Sequence, residues 1–362
     1  PLGLLIEEGS TNLLTYSEQF DNAYWYKQAS NVTPNVSSPL APTGLNTVDV
    51  FYETVDSSTH GIQKSVPVSN GTQYTFSVVV GGAGGREGAV IRFGNGSLDG
   101  TIGTYIGSTA LESFALGASS LTTDGAIQAS CVGLGNGLFK IAATVTSTAT
   151  ALHVSIWSFN GSSANFIGSA TKGLYIWGAQ LEQKSFATSY MPTVASTASR
   201  SADECDLALP VGLINASQGT VIVTADRTRN PILTSATGGD PTIEFEDNGG
   251  LGLSMIQNFD STGLGEETVF IASPGVAFSF GDVSVENQLF TVGWTYNDTI
   301  SEFNASIDGS VPQNQVASGS IIYPNKLNIG YSTILNQRMN GHINSVKYYG
   351  KDLSAKLQSL TA

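Results

Sequence analysis

Two carboxylates separated by one apolar residue are the nearest this sequence comes to acid–base chemistry. In Ile243-Glu244-Phe245-Glu246-Asp247, an extended segment puts Glu244 and Glu246 on one face. A retaining glycosidase needs two carboxyl groups about 5–5.5 Å apart, an inverting one about 6.5–9.5 Å. The run leads directly into Asn248-Gly249-Gly250, the composition of a strand end entering a turn, so the pair is read as non-catalytic. A polysaccharide-degrading enzyme is the alternative. His60, His153 and His342 are the three histidines, and none sits beside a Ser or Cys in a nucleophile elbow. Cys131 and Cys205 make neither a disulfide framework nor, with those histidines, a zinc spacing, and are read as free thiols. Gly81-Gly82-Ala83-Gly84-Gly85 lacks the lysine and the following helix of a phosphate loop and reads as a hairpin tip. No catalytic residue is assigned.

Binding chemistry has more material. Flat aromatic rings stack on the C–H faces of sugars, while amides and carboxylates bond the hydroxyls. The rings chosen as glycan contacts are Tyr24, Tyr26, Trp157, Tyr296, Tyr323 and Tyr331, whereas Trp25, Trp177 and Trp294 lie among apolar neighbours and read as core. Oxygen-rich turns at Asp240, Asp247, Asn248 and Asp298 are the places where a structural Ca2+ would be held.

The elements that must carry these residues are strands. Runs such as Gln73–Val80, Ala89–Phe93, Leu138–Val145, Leu152–Trp157 and Leu289–Tyr296 are bounded by Gly, Asn or Asp and show period-two or β-branched patterns. Gln19–Tyr26 reads as one or two helical turns, and Leu353–Leu360 as a short C-terminal helix capped by Ser354. The fold class is therefore all-β: two tandem antiparallel β-sandwiches of jelly-roll type. The 362 residues carry only 12% charged side chains and 41 glycines, where about 25 would be usual. The net charge of −14 speaks against a nucleic-acid partner. No apolar run approaches the ~18 residues of a membrane helix, so no membrane insertion is expected. The chain opens Pro1-Leu2-Gly3 with neither Met nor a signal pattern, and reads as processed or as part of a longer protein.

Two sequence words add a family expectation. Thr11-Asn12-Leu13-Leu14-Thr15-Tyr16-Ser17-Glu18-Gln19-Phe20, continuing to Trp25, opens the first half. Ile176-Trp177-Gly178-Ala179-Gln180-Leu181-Glu182, then Ala187-Thr188-Ser189-Tyr190-Met191-Pro192, closes it. The pair resembles the flanks of a carbohydrate-binding-module-like jelly roll in virion proteins of tailed bacteriophages. The second half, with Thr291–Tyr296, Ser306-Ile307-Asp308-Gly309, Leu327–Gly330 and Met339–Tyr349, resembles a concanavalin A-like, laminin-G-type sandwich.

That resemblance implies residues 1–9 as an anchor segment built on Leu2, Leu4, Leu5 and Ile6. It further implies a jelly roll over 10–193, a linker over 194–204 and a second sandwich over 205–362. It implies a structural, adhesive virion-surface protein on a head or tail fibre, assembled with other virion proteins as a homo-oligomer, a trimer by preference. Host surface glycans would be bound weakly and multivalently, and Ca2+ would be the one cofactor. A purely architectural capsid or tail protein is the remaining alternative.

Overall fold

The computed structural model describes residues 3–95, 111–115, 120–122, 128–215, 217–227, 239–247, 250–258, 266–271, 276–282, 289–316, 324–332 and 337–362. The chain is all-β, and its strand pairings are antiparallel among the described residues. It divides into two compact units, Ser10–Arg200 and a second built from Pro1–Gly9 together with Ser201–Ala362.

In the unit Ser10–Arg200, one sheet runs Ser120–Thr122, Leu111–Ala115, Gly88–Asn95, Ala151–Phe159, Gly61–Pro67, Tyr26–Gln28 in spatial order. The other runs Gln128–Gly135, Leu138–Thr146, Gln73–Ala83, Gly173–Glu182, Asp49–Glu53, Ser30–Thr33. Alternation puts Ile62, Ile91, Phe93, Val154 and Ile156 of the first against Phe51, Phe76, Val78, Ile141 and Ile176 of the second, and these side chains form the core. The Gly81–Gly85 run is not a hairpin tip. It is the corner at which the chain leaves one sheet for the other, turned by a bond from Arg86 N–H to the Ala83 carbonyl.

The other unit pairs Leu4–Ile6, Gly341–Tyr349, Gln218–Arg227, Leu289–Asn297, Glu302–Ile307, Gln313–Val316 in one sheet. Its second sheet runs Cys205–Ala208, Lys326–Ile329, Gly239–Asp247, Gly250–Asn258, Glu266–Ile271, Val276–Asp282. Val221, Val223, Trp294, Tyr296, Phe303 and Ile343 meet Ile243, Phe245, Phe278 and Leu327 between them. The Asp308-Gly309 turn takes φ of +44° and +70°, closed by Ser310 N–H on the Ile307 carbonyl at 2.8 Å, the left-handed pair a tight hairpin requires.

Five expectations change. In chain order one sandwich is inserted within the other rather than preceding it in tandem. Leu4–Ile6 is an edge strand paired with Gly341–Ile343, so the segment read as a separate anchor is part of the C-terminal sandwich, with Ile6 buried in it and Leu2 outside the described residues. The supposed linker is partly strand, because Ala198–Arg200 pairs with Ser10–Asn12 and the Val194 carbonyl accepts the Tyr16 amide. Gln19–Tyr26 is a chain of three turns, each closed from residue i+3 back to i (Gln19 on Tyr16, Asn22 on Gln19, Trp25 on Asn22), and not a helix. At the C-terminus a 3-10 turn Ser354–Lys356 leads into the helix Leu357–Thr361, and the Asp352 carboxylate, not Ser354, accepts the first free amide.

Candidate functional site

The two sequence words that bracket the first half meet in space. Asn12 is fully buried, and its side chain serves four backbone groups. Its Nδ2 donates to the carbonyls of Ala179 and Met191, and its Oδ1 accepts the amides of Leu14 and Leu181. Ser17 Oγ lies 2.6 Å from the Tyr190 hydroxyl and takes the Thr193 amide, while Trp25 Nε1 donates to the Tyr16 carbonyl. This seam closes the sandwich and is structural.

The face with binding chemistry lies on the Gly61–Pro67/Ala151–Phe159 sheet, on the side away from the core. With Ile62, Val154 and Ile156 pointing inward, alternation turns Gln63, Arg92, His153, Ser155 and Trp157 outward. Register lines up Tyr26, Gln63, Ser155 and Arg92 as a row across four strands: a phenol, an amide, a hydroxyl and a guanidinium. Tyr26 is 39% exposed and Arg92 half-buried, while Gln63 and Ser155 are closed off. The Arg92 guanidinium carbon sits 5.3 Å from the Trp157 ring centroid, which supports the cation from below. His153 Nε2 donates to Gln63 Oε1 at 2.9 Å, leaving Nδ1 as an acceptor, and burial pulls the ring pKa down to about 4, so it is neutral near pH 7. His153 Nδ1 and Trp157 Nε1 have no hydrogen-bond partner among the described residues although both rings are buried.

The sequence-predicted residues are dispersed. Tyr24 is half-buried beneath Lys64, whose Nζ lies 3.9 Å from its ring centroid. Trp157 and Tyr296 are fully enclosed and offer no ring face to a sugar, which corrects their reading as stacking platforms; Trp157 acts under Arg92, and Tyr296 donates to the Asn215 carbonyl at 2.7 Å. Tyr331 is 4% exposed, with Lys326 Nζ and Arg338 Cζ at 5.9 and 5.6 Å from its ring. Tyr323 and Asn248, with the side chains of Asp240 and Asp247, lie outside the described residues. Asp298 is half-buried, its amide bonded to the Ser217 carbonyl. No group of three His, Cys, Asp or Glu side chains converges as a metal centre among the described residues. Cys131 and Cys205 are free, and burial pushes the Cys131 thiol up.

Residues that the sequence reading passed over are Gln63, Arg92 and the buried Glu53–Arg86 ion pair. Arg86 Nε and one terminal nitrogen each lie 2.7 Å from a Glu53 oxygen, and the guanidinium lies over Phe166 at 4.6 Å. Their only signal was the period-two pattern around isolated polar positions in apolar strands.

No family model matches the chain, and no curated protein does. Solved structures similar to it include the Ruminococcus gnavus IT-sialidase CBM40 bound to α2,3 sialyllactose, at 11% identity and TM-score 0.31, covering 41% of this chain and 84% of that one. A heptameric SAP-like pentraxin from Limulus polyphemus matches at 11% identity and TM-score 0.34, over 41% of this chain and 73% of that one. Domains LG4-5 of the mouse laminin α1 chain match at 10% identity and TM-score 0.27, over 81% and 86%.

Proposed function

We propose that the protein is a non-catalytic, glycan-binding adhesive module displayed on the surface of a tailed-phage virion. The observation that carries the glycan reading is the row Tyr26–Gln63–Ser155–Arg92, which starts in an exposed ring and ends in a half-buried cation resting on Trp157. A ring for the C–H face and a donor for the hydroxyls are the two things a sugar asks of a protein; Tyr26 supplies the first and Arg92 the second, with the buried Gln63 and Ser155 between them. The virion reading is supported by the opening and closing words of the first sandwich, which resemble the flanks of phage virion jelly rolls and meet in one buried seam. Single-site affinity in the millimolar range suffices when many copies act together.

The test is retention of the protein on arrayed bacterial surface glycans. Tyr26→Ala is expected to weaken binding about fivefold, the loss of one aromatic contact worth about 1 kcal/mol, with the melting temperature unchanged. No retained glycan, or equal retention by the variant, defeats the reading. Electron cryo-microscopy of the virion tests the location: density for two β-sandwiches on head or tail is expected, and none on the particle removes the virion assignment.

A further inference from the structure

In the C-terminal sandwich the edge strand Leu4–Ile6 covers only part of its neighbour. It pairs with Gly341–Ile343, whereas Gly341–Tyr349 continues along Gln218–Arg227 as far as Tyr349. The pairing ends where Gly3 takes a φ of +103° and where Asn344, an extra residue between Ile343 and Ser345, bulges from the ladder. From Ser345 to Tyr349 the outer side of the strand has no strand partner among the described residues, so every second residue there turns an N–H and a C=O outward. Beside this open edge lies a cleft of about 410 Å3, lined from both sheets. Val346 and Tyr348, the inward residues of the same stretch, line it together with Leu4, Leu207, Leu213 and Ile214. Leu4, Leu207 and Leu213 are 45%, 53% and 49% exposed, so the mouth is aliphatic. On the outer face Lys347 is exposed at the centre of the stretch, and no ion pair holds it among the described residues.

We propose that Ser345–Tyr349 is a docking edge for an extended peptide segment of a partner protein, apolar at alternate positions and acidic at the position opposite Lys347. The segment continues the sheet beyond Leu4–Ile6, and its main chain takes up the outward N–H and C=O groups. Its inward side chains enter the cleft, where the lining offers aliphatic contact and no charge. Its other side chains stand on the outer face beside Lys347, where an opposite charge attracts and a like charge repels. A second copy of this chain is disfavoured on that ground, because two such edges paired about a two-fold axis set Lys347 against Lys347. A free apolar molecule would fill the cleft and leave the edge unpaired. Edge and cleft coincide on one stretch, which is what strand addition requires: affinity from the main chain, selectivity from the space beneath alternate side chains. The docking edge is independent of the glycan reading, which concerns the unit Ser10–Arg200.

Fluorescence anisotropy of a labelled peptide, titrated with the full chain, tests the assignment. The probe is Thr-Val-Thr-Val-Glu-Val-Thr-Val-Thr, and a companion carries Lys in place of the central Glu. The Glu peptide is expected to bind with a Kd below about 1 mM, and the Lys peptide about threefold or more weaker. Lys347→Glu, at an exposed position, is expected to reverse that order. Leu213→Asp, at the mouth of the cleft, is expected to weaken both peptides about fivefold or more. A probe with Pro at its two central Val positions lacks the donors for a ladder and is expected not to bind. No saturable binding with the chain at ~1 mM overturns the proposal. So does an unchanged order of the two peptides on Lys347→Glu, or equal binding of the Pro probe, which would mean cleft filling without strand addition. A dimer of the free chain in sedimentation equilibrium that the Glu peptide dissociates would assign the edge to a second copy and overturn it too. Should either variant fail to fold, the other variant and the Pro probe still decide.

Discussion

The imidazole of His153 is held neutral by burial, one nitrogen given to Gln63 and the other left bare. Its pKa falls from 6.5 to about 4, so in acid the unfolded chain takes up a proton that the folded chain refuses. The stability it contributes is complete above about pH 6.5 and is lost as the pH falls toward 4. Asp49 in the same unit works the other way. Its carboxylate accepts the amides of Phe20 and Asn35, yet burial dominates and pushes the group up to about 6 from 3.8. Its contribution is complete below about pH 3.8 and is lost as the pH rises through 6. Between pH 4 and 6 the two slopes oppose each other. His153→Gln is expected to remove the acid-sensitive one, sparing up to about 3 kcal/mol of the loss between pH 7 and 4.5. Melting curves at the two pH values check this, and equal losses in variant and wild type would refute it.

At the scale of elements, the seam between the opening and closing words depends on Asn12 more than on any strand pairing nearby. Asn12→Ala strands two amides and two carbonyls in a buried place, and a loss of about 3 kcal/mol or more is expected in urea denaturation. Thr11→Ala, whose hydroxyl bonds Ser199 at the surface, is expected to stay within about 0.5 kcal/mol. A reversed order of effects would show that the seam is held by packing instead. The strands themselves were legible because period two is a local signal, as in Gln73–Ala83 and Leu138–Thr146. The Asp308-Gly309 turn was legible for the same reason. Gly330 was legible only as a strand end: its φ is +73°, and an added Cβ would lie 2.6 Å from Ile6, a neighbour no local pattern could supply. The row Tyr26–Gln63–Ser155–Arg92 was hidden likewise, since each member comes from a different strand and only register joins them. Burial was equally hidden, which is why Trp157 and Tyr296 looked available and are enclosed.

For the whole molecule the governing fact is insertion. One complete sandwich, Ser10–Arg200, interrupts another after its first strand. Ser10 and Arg200 are paired in an antiparallel ladder, so the two ends of the insert lie about 5 Å apart. Joining Gly9 directly to Ser201 is therefore expected to leave a folded outer sandwich, and Ser10–Arg200 alone is expected to fold as well. Circular dichroism and cooperative melting of both products check it; an excised outer unit with no cooperative transition would contradict it. The same adjacency bears on how the chain is made. Glu8, next to the first strand, bonds Asn340 across 332 residues, so a strand that leaves the ribosome early waits for a partner that leaves it late. A chain that long would resist closure, but an insert that has already folded brings its ends together. Taking the 191 residues of the insert out of the 332-residue loop leaves an effective loop of roughly 140 and lowers the entropic cost by somewhat under about 1 kcal/mol. The inner sandwich thus serves the outer one as a clasp, and the order of synthesis guarantees that the clasp is shut first.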